Sequence, residues 1–152
     1  METPREVTHP RFWFLEGLDK VGKTALRKEL EVRSGYVLPF YDRGPVSRIM
    51  FATINKEPQV RIVPYYILEL KLINSGMYGI VYLQASVETV QKRMKQAGEP
   101  VLTKNVLASH SAEFDSLIQN RVPLCPVIFH NVEGKTLQQS AMEILQEVYK
   151  YV

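Results

Sequence analysis

The stretch Gly17-Leu18-Asp19-Lys20-Val21-Gly22-Lys23-Thr24 follows a short apolar run, residues 12–15, and opens onto a helical pattern beginning at Ala25. It fits G-x-x-x-x-G-K-[ST], and each fixed position in that pattern has a physical task. Glycines let consecutive backbone N–H groups curl around a polyphosphate, the lysine reaches the β and γ phosphates, and the hydroxyl ligates Mg²⁺. A helix opening at Gly22 adds the positive end of its dipole beneath the same anion. At ordinary glycine usage, a chain this long matches the pattern by chance on the order of once in two hundred. A strand before the pattern and a helix after it are a further requirement, and both are present. These residues predict a nucleotide polyphosphate ligand cradled by Gly17, Asp19, Lys20, Val21, Gly22, Lys23, Thr24 and Ala25. Thr24 is the metal ligand of the set, and Lys23 the cation on the terminal phosphates.

Working outward, 152 residues that are 45% hydrophobic and 23% charged suit one domain spanning the whole chain, with a core of useful size. The single cysteine, Cys125, excludes an internal disulfide. It fits a reducing, cytoplasmic compartment and reads as a buried apolar residue. Residues 1–11 carry no apolar secretory core, and no run is long enough to cross a bilayer, so a soluble protein without a membrane partner is expected. A net charge of +3 and a pI near 9.0 agree with a polyanionic ligand without naming one. His9, His110 and His130 have no metal-ligand spacing with one another or with Cys125, which argues against zinc.

The rest of the chain alternates. Strand-like apolar runs occur at 12–15, 37–41, 79–83 and 127–129, with helical patterns at 23–32, 46–55, 63–74, 87–96, 108–120 and 137–149. Such alternation predicts an α/β fold, a parallel sheet covered by helices on both faces. Proline placement orders the strands. Pro39 interrupts the second run, and Pro123 and Pro126 begin the fourth, while the first and third have none. Because proline cannot donate to a ladder, runs one and three are expected at the centre and the others at the edges.

At this point the residues resemble a family. Phe14-Leu15-Glu16-Gly17-Leu18-Asp19-Lys20-Val21-Gly22-Lys23-Thr24 is similar to the F-x-E-G-x-D-x-x-G-K-[ST] loop of thymidylate kinases and their deoxynucleoside kinase relatives. Tyr41-Asp42-Arg43-Gly44-Pro45-Val46-Ser47 is similar to that family's D-R-Y…S segment. Ile80-Val81-Tyr82-Leu83, followed by Val87-Glu88-Thr89 and Lys92-Arg93-Met94, resembles the strand and helix that precede the lid of nucleoside monophosphate kinases. The end of the chain, Val127-Ile128-Phe129-His130-Asn131 and a helix, is similar to the end of that fold. One departure stands out. Family members place a strand and a pair of helices between the first helix and the Asp-Arg strand, and here only residues 33–36 intervene. The resemblance therefore implies a shortened form of the P-loop nucleoside monophosphate kinase sandwich, with about four strands and an acceptor side that is open or built differently.

It also implies roles. Asp42, at the end of a parallel strand where ligands sit in such sheets, orients the acceptor hydroxyl or holds Mg²⁺, with a turn carboxylate as the alternative. Arg43 offers a planar fork for an acceptor phosphate, against a surface ion pair. Asp19 contacts an acceptor sugar hydroxyl, and Glu16 helps place the base or metal; for both, loop-bracing hydrogen bonds are the competing reading. Ser47 joins the substrate-binding set. Arg93 stacks on the ATP adenine, or else is an exposed helix cation. Tyr65, Tyr66 and Tyr82 are candidates for an acceptor pocket, but aromatics on buried faces of helices and strands are more often core. The lid-like segment 97–105 holds no arginine, so Lys20 inside the loop is the expected catalytic cation, with Lys104 second. ATP and Mg²⁺ are the implied cofactors, and the implied acceptor is a nucleoside or nucleotide. A nucleic-acid acceptor, or a nucleotide-binding module that phosphorylates nothing, remains an alternative. Thymidylate kinases are commonly homodimers, so a homodimer is a further expectation.

Overall fold

The computed structural model describes residues 9–18 and 20–151. Four strands, β1 (Phe12–Glu16), β2 (Phe40–Asp42), β3 (Tyr78–Gln84) and β4 (Val127–Asn131), pair in parallel in the order β2-β1-β3-β4. The two runs free of proline are central and the two marked by proline are edges, as the donor argument requires. Strand β2 is shorter and later than the run at 37–41 suggested, because Pro39 has no N–H for a ladder. It still contributes its carbonyl, which accepts from Trp13 N–H at 3.1 Å. The shift makes Asp42 the last residue of β2, paired with Leu15.

Six helices connect and follow the strands: α1 (Lys23–Arg33), α2 (Pro45–Ile54), α3 (Gln59–Asn74), α4 (Val87–Gln96), α5 (Lys104–Gln119) and α6 (Leu137–Val148). The α/β alternation read from the sequence is therefore the fold. Helix α3 starts four residues before the pattern at 63–74. Pro58 serves as its N-cap in an extended conformation, and Pro64 forfeits a single intrahelical bond. The early turn is anchored by Ile62, which packs on Ile49 and Ala52 of α2. Helix α5 likewise begins early, because the Thr103 hydroxyl accepts from Val106 N–H at 3.2 Å and caps it. Only residues 97–103 are thus left between α4 and α5, and Lys104 and Asn105, expected in a lid, lie in the first turn of a helix.

The chain steps from β1 to β2 in one direction and from β2 past β1 to β3, then to β4, in the other. With right-handed crossovers this puts α1 on one face and α2 to α5 on the opposite one. Helices α1 and α6 pack together, and α2 packs on α3 and α5. Between the layers, Trp13, Leu15, Ile80 and Leu83 of the central strands are fully buried, with Leu30 of α1, Ile144 and Val148 of α6 and Phe114 and Ile118 of α5. Gly79 is required by this packing, since a Cβ there would lie 2.6 Å from the Trp13 ring. At the far end of the sheet, Glu69 and Arg121 form a buried ion pair at 2.7 Å. The Tyr78 hydroxyl donates to the same carboxylate at 2.9 Å.

Candidate active site

Strands β1 and β3 send their connections in opposite directions, so their carboxyl ends flank a crevice, where open α/β sheets bind ligands. The glycine-rich loop rises from β1 at this point. Gly17 lies so close to β3 that an added Cβ would sit 2.5 Å from the Leu83 carbonyl, and its φ of 146° lies outside what other residues adopt. Lys20 takes a left-handed φ of 67°, and Gly22, at 90°, precedes α1 without a side chain to cap it. Turning the backbone this way points successive N–H groups to one side and leaves the start of α1 suited to an anion. Lys23 is buried, its ammonium held at the floor of the loop by the carbonyls of Gly17 at 2.6 Å and Leu18 at 3.0 Å.

The edge strand brings Asp42 to the same place. Thr24 donates its hydroxyl to Asp42 Oδ2 at 2.5 Å. The other carboxylate oxygen, Oδ1, is buried without a hydrogen-bond partner. An orphaned carboxylate oxygen beside a threonine hydroxyl is a fitting donor set for Mg²⁺, which takes hard oxygen ligands. No group of three or more His, Cys, Asp or Glu gathers among the described residues. A Mg²⁺ ion held by Asp42 and Thr24 would take its other ligands from phosphates and water, as is usual for it.

Glu16 has no exposed surface. It accepts hydrogen bonds from Gly44 N–H, from Ser47 N–H at 2.7 Å and from the Ser47 hydroxyl at 2.5 Å. Burial pushes its carboxyl up to about 7, with the Ser47 and Gly44 hydrogen bonds and the Lys23 charge pulling the other way. Both Glu16 and Ser47, expected to meet substrate, are thus engaged with each other at the start of α2. Arg43, between Asp42 and Gly44, is exposed in a left-handed conformation, φ 61°. Asp19 lies outside the described residues.

Arg93 is not a free helix cation: its guanidinium donates to the Lys20 carbonyl at 2.8 Å and ties α4 to the loop. Lys20 pairs with Glu99 at 2.6 Å. Lys104 faces Glu88 instead, at 3.5 Å. Two cavities follow from this arrangement. One, of about 290 Å³, is lined by the loop residues Lys20 and Gly22 to Ala25 together with Asp42, Arg43 and Glu99. The other, of about 390 Å³, is lined by Lys20 to Gly22, Ala25, Leu26 and Arg93, and across from them by Val132, Lys135, Thr136, Leu137 and Ser140. They share Lys20, Gly22 and Ala25, so a polar compartment and a more apolar one meet over the loop. The wall from Val132 to Ser140 was not singled out in the sequence; its position just beyond β4, at the carboxyl end of a parallel strand, is the signal that points to it. Of the tyrosines, Tyr82 is buried and donates to Asp115, Tyr65 lies under the Arg48 guanidinium at 5.7 Å, and Tyr66 is exposed.

No family model and no curated protein matches the chain. Solved structures do. The YorR protein of Bacillus subtilis, in complex with phosphorylated GDP, superposes with a TM-score of 0.68 at 15% identity, covering 91% of this chain and 95% of that one. The fold is shared. Deoxyadenosine kinase from M. mycoides gives TM-scores of 0.67 with bound dCTP and 0.64 with dCMP and dCDP, each at 12% identity, covering 93% of this chain and 100% of the other. The four-stranded parallel sheet and its helices thus match a P-loop kinase architecture, at identities where a likeness speaks for the fold. No helix among the described residues is long and apolar enough to cross a membrane.

Proposed function

We propose that this protein is a Mg²⁺-dependent kinase that transfers the γ-phosphoryl group of ATP to a nucleoside or nucleotide, with thymidylate-like acceptors foremost. The observation that carries this reading is the pair of cavities that share Lys20, Gly22 and Ala25 of the loop. The compartment under Arg93 and Leu137 suits a base, and the glycine-rich loop suits the phosphates. Asp42 and Arg43 line the polar cavity together with the loop, and in this reading they meet the terminal phosphate and the acceptor. A pure nucleotide-binding module has no need of that last pair.

Catalysis in such a site is positioning and charge stabilisation. The loop N–H groups and Lys23 hold the phosphates, and Lys20 adds positive charge beside them. Arg93 and Leu137 sandwich the base. Asp42 and Thr24 would hold Mg²⁺, which when bound neutralises charge on the β and γ phosphates. Asp42 also orients the attacking oxygen, and Arg43 binds the acceptor's own phosphate. Residues 97–103, joined to the loop through Glu99, serve as a short lid.

An acceptor screen with γ-labelled ATP tests this. Its arms are nucleosides, the nucleoside monophosphates, and single- and double-stranded DNA with modified bases. Label transfer to a monomer, lost in Lys23→Ala, is the expected result. Transfer to DNA alone moves the acceptor to a polymer, and ATP binding without transfer in any arm overturns the kinase reading.

A further inference from the structure

Glu16 ends β1 next to the site, yet it lines neither cavity. Its carboxylate is spent on α2. Gly44 is the N-cap of α2 and Ser47 its third residue, so one carboxylate from a neighbouring strand takes the two backbone donors that a capping box satisfies with two side chains. The charge suits the position: Gly44 offers no side chain, and the first turn of α2 has no acidic residue, so the positive end of that helix meets Glu16.

The consequence falls on Arg43. A non-glycine residue in the left-handed region persists only where its surroundings over-determine it. On one side Arg43 N–H donates to the Leu15 carbonyl at 3.2 Å, which extends the β1–β2 ladder. On the other side Glu16 fixes Gly44 and Ser47. Gly44 cannot carry a side chain, because a Cβ would lie 2.3 Å from Glu16 Oε1 and 2.9 Å from Phe14 Cδ1. Strand end, turn and helix start are therefore clamped together by a single carboxylate. The same carboxylate occupies the donors at the start of α2 that an acceptor phosphate would need, and Arg43, which lines the 290 Å³ cavity beside Asp42 with Lys20 and Lys23, carries the planar fork suited to such a phosphate.

We propose that Glu16 is a positioning residue: it holds Arg43 in its left-handed conformation, and so sets where the Arg43 guanidinium meets the acceptor beside Asp42, without touching substrate itself. The kinetic consequence rests on the kinase reading above; the clamp does not.

Two double-mutant cycles test it. In the first, phosphoryl transfer is measured for Glu16→Gln, Arg43→Ala and the pair. The glutamine keeps the size but replaces one accepting oxygen with an N–H₂, which then faces either the Gly44 donor or the Ser47 donors. We expect kcat to fall about 10-fold or more in Glu16→Gln with the KM for ATP within about two-fold, and the double variant to be no slower than Arg43→Ala. Losses that multiply overturn the positioning role. The second cycle needs no turnover. Arg43→Gly removes the left-handed strain only where the clamp enforces it, so it should lower the melting temperature several degrees more in a Glu16→Gln background than in the parent. Equal shifts in the two backgrounds overturn the clamp. Should Glu16→Gln not fold, Ser47→Ala, which removes the hydroxyl donor alone, enters both cycles with smaller effects of the same sign. A chain without turnover on any acceptor fails the kinase reading, and the melting cycle still decides the clamp.

Discussion

Thr24 and Asp42, 18 residues apart, meet at 2.5 Å, the hydroxyl of the first donating to one carboxylate oxygen of the second. This contact joins the glycine-rich loop to the edge strand and leaves Asp42 Oδ1 buried without a partner. A buried acceptor left unmade costs about 1–3 kcal/mol, so the arrangement is expensive unless a ligand completes it.

Asp42→Asn tests that expense. The substitution keeps the shape and removes the charge that would hold metal and orient a hydroxyl. It should lower kcat by roughly 10²-fold and raise the Mg²⁺ concentration needed for half-maximal rate. The melting temperature without nucleotide should be unchanged or higher, because a charge repaid only by ligand has gone. A normal kcat returns Asp42 to the role of a turn carboxylate.

The buried pair at the other end of the sheet makes a prediction about stability alone. Arg121→Met leaves the Glu69 carboxylate buried beside Tyr78, and single removal of one partner should cost about 3–5 kcal/mol in chemical denaturation. Replacing both, as Glu69→Leu with Arg121→Met, should recover most of the loss, since an apolar pair of similar volume avoids desolvation. Turnover per folded molecule should not change, because the pair sits by Tyr78 at the start of β3 and the site lies beyond its end. A double variant as unstable as the single one would show that this pair contributes more than it costs to bury.

Much of this was legible in the sequence because it rests on residue types with few alternatives. The spacing of Gly17 and Gly22 calls for a tight turn between a strand and a helix, which the chain makes between β1 and α1, and Pro39, Pro123 and Pro126 order the sheet through donors they lack. What stayed hidden depends on distance. Val132 to Ser140 reach the 390 Å³ cavity only because β4 lies two strands from β1, and nothing local in Lys135 or Leu137 announces that. For Glu16 the family resemblance implies a place near the base or metal, with bracing hydrogen bonds as the competing reading, and bracing is what the structure has. Its commitment to Gly44 and Ser47 depends on how β2 turns into α2, a geometry set by the left-handed Arg43. Helix starts were misjudged at α3 and α5 because the caps, Pro58 and Thr103, lie ahead of the apolar pattern.

The titration of Glu16 gives a pH dependence with a definite sign. Its carboxyl is raised from 4.5 to about 7, by burial above all. Between those two values the folded chain binds more protons than the unfolded one, so this contribution to stability falls as pH rises through the window and levels off above it. His130, lowered by burial from 6.5, acts in the opposite sense. The parent-minus-variant difference for Glu16→Gln isolates the glutamate. That difference, from denaturant melts at intervals between pH 4.5 and 8, should decline across the window. A flat difference would mean that Glu16 keeps an ordinary carboxyl in the fold.

The last prediction concerns the positive charge that phosphoryl-transfer sites use beyond the loop lysine and metal. The segment between α4 and α5 has no arginine, which leaves Lys20 and Lys104 as the candidates raised by the sequence. Their surroundings differ. Lys20 lines both cavities, its left-handed backbone sits within the loop, and its ammonium reaches Glu99 at 2.6 Å. Lys104 sits in the first turn of α5 and faces Glu88 at 3.5 Å, with both side chains about two-thirds exposed. Lys20→Ala should therefore lower kcat by roughly 10-fold to 10³-fold and leave ATP binding nearly intact, since its effect belongs to the transition state. Lys104→Ala should leave both unchanged. Glu99 pairs with the same ammonium, so Glu99→Gln should raise kcat modestly at low salt with ATP binding nearly unchanged, and lose that advantage as ionic strength screens a part-exposed pair. Steady-state kinetics of the three variants at two salt concentrations decide the matter: a large loss in Lys104→Ala with none in Lys20→Ala would reverse the assignment and give the charge to the lid.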